Sequence, residues 1–593
     1  MLTTDPIPFS TIETFTDGFC WCLLGHWVNG IVGIQDIFEL LEPHLKDNRS
    51  DLLVKVHKCK QLTRQVKAFY TPEWPTASKS DLPSKDIADV LVRRYLDTYE
   101  SVYRVLHIPT FVAEYEAIWT ASDPPNDSFI VLVKLVLAIG AATYDEHYSM
   151  RPTAIRWLYE AQTWLARPTV KSRLNLQFLQ ISILHLFTRE VTGVGEDFIW
   201  TTAGTLHRTA MYMGLHRDPA KLPTCTLIVA EMRRRIWNTI LEVTLRSSFM
   251  SGGAPLISLD SFDTEPPGNY DDEQLTAENP SPKPGGEFTD TTVSIALRHT
   301  FQLRLGMTRF LNGLDSSGAY DEAMWLDAEY REIYKSLRQS FQQYGHNEGP
   351  SPTDFQLQTI DLILSRHLLA LHLPFSTAAV NDKAYAYSKT IVNDTALKIW
   401  SVTTNTTSTS PYHLNSVPER STLAHLAITT SGFYRISALQ ASLVLALDFR
   451  ARLKEEESLG PVPIRRDLSA MLDEAKAWNL RTLDAGEPNA KGYLLVYLVA
   501  AHIEGLSREL RGAELSMSLI RCAEEAVETC ITLLKGKVAL QGPQAEVTGF
   551  DEAQVDLEQD GGLFGGWDFL TVNGGLDFGG LEPVSWSSGG WPT

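Results

Sequence analysis

Leu174-Asn175-Leu176-Gln177-Phe178-Leu179-Gln180-Ile181-Ser182-Ile183-Leu184-His185-Leu186-Phe187 is the stretch that decides the fold class. Leu174, Phe178, Ile181 and Leu184 are spaced by three and four residues, and further apolar residues fill the gaps between them. A helix that is apolar nearly all round has no face to give to water, so it has to sit inside a larger set of helices. Similar patterns cover 354–373, where Pro374 is expected to end the helix, and 422–453, 492–510 and 514–534. Alternating polar and apolar runs bounded by turns are rare, and neither a strand–helix–strand rhythm nor a repeat of fixed period is visible. The expected class is all-α, a large multi-helix domain with a disordered acidic and aromatic C-terminal tail.

Working outward, loops are marked by Gly, Pro, Ser and acidic residues. The clearest is 251–287, with Pro255, Pro266, Pro267, Pro280, Pro282 and Pro284 beside Asp271, Asp272 and Glu273. The chain has 593 residues, 44% hydrophobic and 21% charged, and a formal net charge of −20. That composition supports a sizeable core and argues against a surface that coats DNA or anionic membrane throughout. It leaves room for a small basic module. The six cysteines are scattered and form no Cys-x-x-Cys pair, so a reducing compartment is expected. No Lys or Arg precedes Lys46, so the apolar stretch 19–34 lacks the basic flank of a signal peptide. The apolar run 129–142 is interrupted by Lys134 and falls short of the ~20 residues that span a bilayer. The chain reads as soluble and intracellular, with no membrane partner.

The tail differs in kind. After Lys537 there is no base, while 538–593 hold nine acidic residues together with Phe550, Phe564, Trp567, Phe569, Phe578, Trp586 and Trp591. Such a segment cannot bury enough apolar surface to offset chain entropy, so it is expected to be disordered. Acids interleaved with aromatics have the composition of an activation segment, which keeps its rings in solvent for a partner's groove. A plain solubilising tail has the same composition.

Catalytic patterns are missing. There is no Gly-x-Ser-x-Gly elbow, no Gly-x-x-x-x-Gly-Lys phosphate loop and no His-Glu-x-x-His zinc helix. Gly193-Val194-Gly195 lacks a third glycine and a preceding strand. Asp271-Asp272-Glu273 starts like the magnesium cluster of helical cyclases, but Leu275 stands where the last ligand is needed, so a solvated acidic turn is expected. His185 and His367 lie on apolar faces as core histidines, and His207 and His216 do not share a face. No catalytic residue is assigned, and the chain is not expected to be an enzyme.

One ordered series of motifs is more specific. Tyr99-Glu100-Ser101-Val102-Tyr103-Arg104 leads to His107-Ile108-Pro109-Thr110-Phe111. A helix over 203–213 closes in Gly214-Leu215-His216-Arg217-Asp218, with Gly214 placed to supply a left-handed cap. Then come Glu231-Met232-Arg233-Arg234-Arg235-Ile236-Trp237, Ser251-Gly252-Gly253-Ala254-Pro255 and Asp263-Thr264-Glu265-Pro266-Pro267. Singly, each is explained by caps, ion pairs and core anchors. In this order the series resembles the middle regulatory domain of fungal zinc-cluster transcription factors, from about residue 85 to 400 and more weakly to 535. Leu371-His372-Leu373-Pro374-Phe375 resembles a further piece. Leu245-Arg246 departs from the Asp-Arg often found before the Gly-x-Pro turn. The resemblance implies an all-helical regulator of RNA polymerase II transcription in a fungal nucleus. It assigns structural roles to His107, Pro109, Phe111, Gly214, His216, Arg217, Asp218, Arg233, Arg234, Arg235, Trp237, Gly253 and Pro255. In some members such a domain senses a metabolite; it does not itself read DNA.

That family reads DNA through a six-cysteine zinc cluster, which the residues here do not contain. Residues 48–57 resemble the helix half of a two-Cys, two-His finger, with His57 and Cys59 as candidate zinc ligands, but a second histidine is absent at 61–63. An ordinary amphipathic helix explains the same residues. Zinc is expected only with an N-terminal DNA-binding module. Arg49, Lys55, Lys58, Lys60, Arg64 and Lys67 are candidate DNA contacts or an import signal, and 60, 64 and 67 share a helix face. The expected organisation is an N-terminal segment (1–84), the helical regulatory domain (85–537) and the tail (538–593). Expected partners are DNA, coactivators through 538–593, and a second copy or a related factor. The rival readings are a non-DNA-binding partner of a full-length zinc-cluster factor and a helical small-molecule-binding protein.

Overall fold

The computed structural model describes residues 35–46, 50–76, 81–120, 126–168, 171–223, 225–278, 280–313, 319–344, 349–379, 382–404, 421–456, 466–487 and 490–539. Among them stand eighteen α-helices of eight residues or more, and no strand. The first are α1 (Gln35–Lys46) and α2 (Asp51–Tyr70). α3 (Lys85–Tyr95) passes into a π-helical turn (Leu96–Glu100) and a last turn at Ser101–Tyr103. α4 (Ile108–Thr120) has Pro109 in its first turn, where a missing N–H costs no helix bond. α5 (Asp127–Gly140) is capped by the Asn126 side chain and α6 (Arg151–Leu165) follows it. Asn175 caps α7 (Leu176–Thr192) by accepting from the Phe178 N–H at 2.9 Å.

Next are α8 (Ile199–Tyr212), α9 (Leu227–Ser251), α10 (Thr292–Asn312) and α11 (Ala319–Tyr344). α12 (Asp354–Ala378) opens on a Thr353/Gln356 capping box. The series closes with α13 (Ala386–Thr404), α14 (Thr422–Thr429), α15 (Phe433–Glu456), α16 (Arg466–Asp484), α17 (Lys491–Ser507) and α18 (Gly512–Ala539).

α5 is buried from Phe129 to Gly140, packed by α3, α6 and α7. Lys134 within it is buried with Glu160, which accepts from its Nζ at 2.5 Å. α9 bridges α7 and α8 to α10, and α12, α13, α15 and α17 pack in sequence against one another. α18 lies between α17 and α2. One buried cluster runs from Ile37 to Leu534, so α1 and α2 share the core of the helices after residue 84. No helix among the described residues is long and apolar enough to cross a membrane.

Two helix boundaries differ from the sequence expectation. Pro374 does not end α12, which continues one turn to Ala378. The proline falls so close to the end that few helix bonds remain to lose, and Phe375 is held between Tyr320 and Tyr385. The stretch expected to be one helix over 422–453 breaks at 430–432, between α14 and α15. Gly432 explains the break: a Cβ there would lie 2.0 Å from Glu190 Cγ, so a carboxylate of α7 occupies the space a side chain would need. The tail beyond 539, Arg49, Cys20 and Cys22 lie outside the described residues.

Candidate functional site

Successive residues on a helix point 100° apart, so Arg233, Arg234 and Arg235 leave α9 in three directions. Each meets a different part of the chain. Arg233 Nη2 donates to the Gly214 carbonyl at 2.6 Å, at the end of α8, where carbonyls lack helical partners. Gly214 is left-handed there, with φ +78°, and lets the Leu215 N–H return to the Ala210 carbonyl. Arg234 grips Asp218 with two bonds, Nε to Oδ2 at 2.9 Å and Nη2 to Oδ1 at 2.8 Å, and reaches Glu231 with Nη1 at 2.6 Å. Asp218 also accepts from the Ala220 and Glu265 N–H groups. The Arg234 bond, helped by those two, holds its carboxyl down at about 2. Arg217 reaches Asp263 at 3.2 Å on the surface, and the His216 carbonyl accepts from the Asp263 N–H.

Arg235 is fully buried. Its Nη1 donates to Asp272 Oδ1 at 2.6 Å, and Arg104 Nη2 donates to the same oxygen at 2.6 Å. The Ile108 N–H takes the other oxygen at 2.8 Å. His107 Nε2 bonds the Asp272 carbonyl at 3.0 Å; a carbonyl only accepts, so Nε2 carries the proton and Nδ1 faces the Thr110 hydroxyl. Burial opposes ionisation of Asp272, but Arg104 and Arg235 outweigh it and hold the carboxyl below the usual range. The expectation of a solvated acidic turn therefore fails at its central residue. Leu275, where the cyclase pattern needs a ligand, is buried, and no cluster of metal-ligating side chains occurs among the described residues.

The other motif residues fall around this clamp. Trp237 is buried, with the His207 ring at 5.2 Å and the Phe262 ring at 5.6 Å. Burial, then Arg208 and His216, pushes His207 down to about 4. Phe111 packs on Tyr115 and Phe129. The Trp200 indole lies 2.6 Å from where a Cβ on Gly253 would stand, and Asn312 Nδ2 donates to the Gly253 carbonyl at 2.9 Å. Pro255 is buried beside it. Where Leu245 replaces the expected aspartate, Arg246 finds its acid on α7: Nη2 meets Glu190 Oε2 at 2.7 Å and Nη1 meets the Tyr103 hydroxyl at 2.6 Å.

Two further buried polar groups stand outside the clamp. The π-helical turn aims Glu100 inward, where it accepts from the Tyr95 hydroxyl at 2.7 Å and the Leu106 N–H at 2.9 Å. Burial, against the pull of Arg104, raises its carboxyl to about 7. Asp327, His372 and Ser388 stand in the order carboxylate, imidazole, hydroxyl, at 3.6 and 2.9 Å. Ser388 and His372 are fully buried, so no substrate carbonyl can approach the hydroxyl, and the trio acts as an internal brace. An open groove of about 300 Å³ is lined by Leu174, Thr205, Arg208, Thr209 and Tyr212 on the outer side of α8.

The N-terminal candidates separate. Two residues apart on a helix, His57 and Cys59 point to nearly opposite sides: His57 is exposed, while Cys59 is buried beside Cys530 of α18. They cannot share a metal. Lys55 is turned toward Glu528 and Glu524, at 3.4 and 3.8 Å, and its charge is spent on α18. Lys58, Arg64 and Lys67 are exposed and Lys60 half-buried.

A family model described as "Fungal specific transcription factor domain" matches residues 92–306, the segment that contains Arg104, the three arginines of α9 and all their partners. "Transcription factor opdR" of Penicillium oxalicum is 30% identical over 88% of this chain and 69% of its own length. The chain belongs to the fungal-specific transcription factor family. "Transcription factor asR3" of Sarocladium schorii is also 30% identical, over 81% of this chain and 59% of its own. "Aspyridones cluster regulator apdR" of Emericella nidulans is 31% identical over 57% and 46%. This member of the family thus spans about six-tenths of the length of the relatives it matches over most of its own length. No solved structure matches it. These relatives are named as transcription factors or as a cluster regulator.

Proposed function

We propose that this family member regulates RNA polymerase II transcription of a fungal gene set from the nucleus, and that the set is a biosynthetic gene cluster. The observation that carries the reading is the coincidence of the family match with the arginine clamp: residues 92–306 hold Arg104, Arg233, Arg234, Arg235, Asp218 and Asp272. The name of the aspyridones cluster regulator supports a cluster of biosynthetic genes as the target class. In this reading the helices form a regulatory scaffold, DNA is reached through a zinc module or a partner factor that carries one, and 538–593 meet coactivators. The acids and aromatics of that segment, with no base among them, suit a basic, apolar-lined groove.

Fusing 538–593 to an unrelated DNA-binding domain tests the tail. A reporter switched on by the fusion supports activation, and a silent, well-expressed fusion removes it. Deleting the gene and sequencing transcripts tests the wider role: co-ordinate loss of adjacent biosynthetic transcripts is expected, and an unchanged profile under inducing conditions refutes it.

A further inference from the structure

α2 presents a strongly basic face that the clamp does not use. Between Asp51 and Glu73 the chain has no acid, but it has Lys55, Lys58, Lys60, Arg64 and Lys67. On a helix Lys60, Arg64 and Lys67 lie within one 60° sector, about 140° round from Lys55. None of Lys58, Arg64 and Lys67 has an acidic side chain within ion-pair distance among the described residues. Phe69 and Trp74 are half exposed, at 49% and 54%, but Phe69 points about 140–180° away from Lys60, Arg64 and Lys67. The carboxylates that meet α2 are Glu524 and Glu528 of α18, on Lys55, and Glu487, on which Lys67 also acts.

The two helices run in the same direction: Lys55 meets Glu524 and Glu528, and further along Cys59 meets Cys530. α18 therefore ends at Ala539, level with the last turn of α2, next to Lys67 and Phe69. The 54 residues that follow carry nine acids, seven aromatics and no base. Glu546, the first of those acids, is within ~25 Å of Ala539 even with the chain fully extended, which compares with the ~30 Å length of α2. Charge and the point of departure match.

We propose that segment 540–593 docks in cis on the Lys60–Arg64–Lys67 face of α2 through its acids, so that the face withholds the tail from other proteins. A tethered acid is present at high effective concentration. A DNA phosphate approaching the same face from outside must overcome the −11 net charge of the first 537 residues. The withholding rests on the tail being the partner-binding segment; the contact does not. The reporter fusion and the test below can therefore fail separately.

Carbodiimide coupling of the full-length chain, followed by peptide mapping, reads the contact directly. Amide links from Lys58, Lys60 and Lys67 to peptides holding Asp551–Asp577 are expected within one molecule, and an isotopically mixed sample shows that they are intramolecular. Arg64→Glu, an exposed change with no amine of its own, should lower their yield several-fold, and 0.5 M salt should do the same. With Lys60→Glu, Arg64→Glu and Lys67→Glu together, a glutamate-specific protease should cut at Glu546, Glu552 and Glu558 several-fold faster than in the native chain. Links spread over lysines in proportion to exposure, links only between molecules, or unchanged cleavage in the triple variant would each overturn the proposal. So would duplex DNA binding that Arg64→Glu abolishes while the tail links persist.

Discussion

Replacing Asp272 by asparagine isolates the charge at the centre of the clamp. The amide keeps the size of the carboxylate but removes the charge shared by two guanidiniums, each at 2.6 Å from one oxygen and each at most 2% exposed, and leaves Arg104 only the longer contact with Asp290 at 3.7 Å. Removing one partner of a buried pair costs about 3–5 kcal/mol. The cost falls on opening of the local structure, since Asp272 joins 104–108 to α9 and holds neither segment by packing alone. Hydrogen exchange followed by mass spectrometry measures it: amides of 104–112 and 270–276 should exchange about 10²- to 10³-fold faster, at 1.4 kcal/mol per decade. Glu273→Gln, an exposed neighbour, is the matched control and should shift exchange by less than threefold. Asp272→Leu combined with Arg235→Met, which removes a charge of each sign, should recover part of the loss. An Asp272→Asn effect below tenfold, or one equal to the control, would refute the view that this ion cluster holds the loop.

Two other perturbations follow from the same geometry. Glu100 has its carboxyl raised from 4.5 to about 7, so the folded state holds a proton that the unfolded state releases. That stabilisation is complete below about pH 4.5 and is lost as pH rises through 7, by about 3 kcal/mol in all. Urea midpoints between pH 5.5 and 8.5 should fall more steeply for the native chain than for Glu100→Gln, and parallel slopes would contradict the assignment. Gly432→Ala places a methyl group 2.0 Å from Glu190 Cγ, and Glu190 cannot yield because Arg246 and the Phe433 N–H hold its two oxygens. A loss of about 1–3 kcal/mol in urea unfolding is expected, against a small gain for Gly536→Ala, whose added methyl meets nothing within 4 Å.

What the sequence disclosed was local. The all-round apolar α7 follows from residues at three- and four-residue spacing, the left-handed turn at Gly214 from its position, and the burial of His185 and His367 from their neighbours. Both rings are pushed down to about 3, chiefly by burial, as core histidines should be. What it hid was long-range. Asp272 draws its arginines from 37 and 168 positions away, and no spacing rule links an acid in a Pro-rich loop to them. Glu190 likewise serves Arg246, 56 positions on, and occupies the gap that Gly432 leaves, 242 positions on, so the break at 430–432 was set by a residue of another helix. The arginines of α9 were legible as a motif, but their division among three partners was not, because the direction of each side chain depends on how α9 is rotated in the core.

That division has a mechanical consequence. Gly214, Asp218 and Asp272 belong to the end of α8, the turn after it and the long loop before α10, and each is gripped by one of three consecutive residues of a single helix. α9 cannot roll by even 30° without moving all three guanidiniums off their acceptors, since hydrogen bonds weaken steeply with misalignment. Arg104 couples this to the π-helical turn through Asp272 on one side and the charge of Glu100 on the other. Buried ion pairs add little net stability compared with apolar packing of the same volume, but they admit far fewer arrangements. A helix keyed this way has one defined rotational setting, and taking the charge from Asp272 is expected to loosen the loop and the helix together. Coupling between α4 and α9 should therefore be lost in Asp272→Asn while the apolar contacts of Trp237 and Phe111 remain in place.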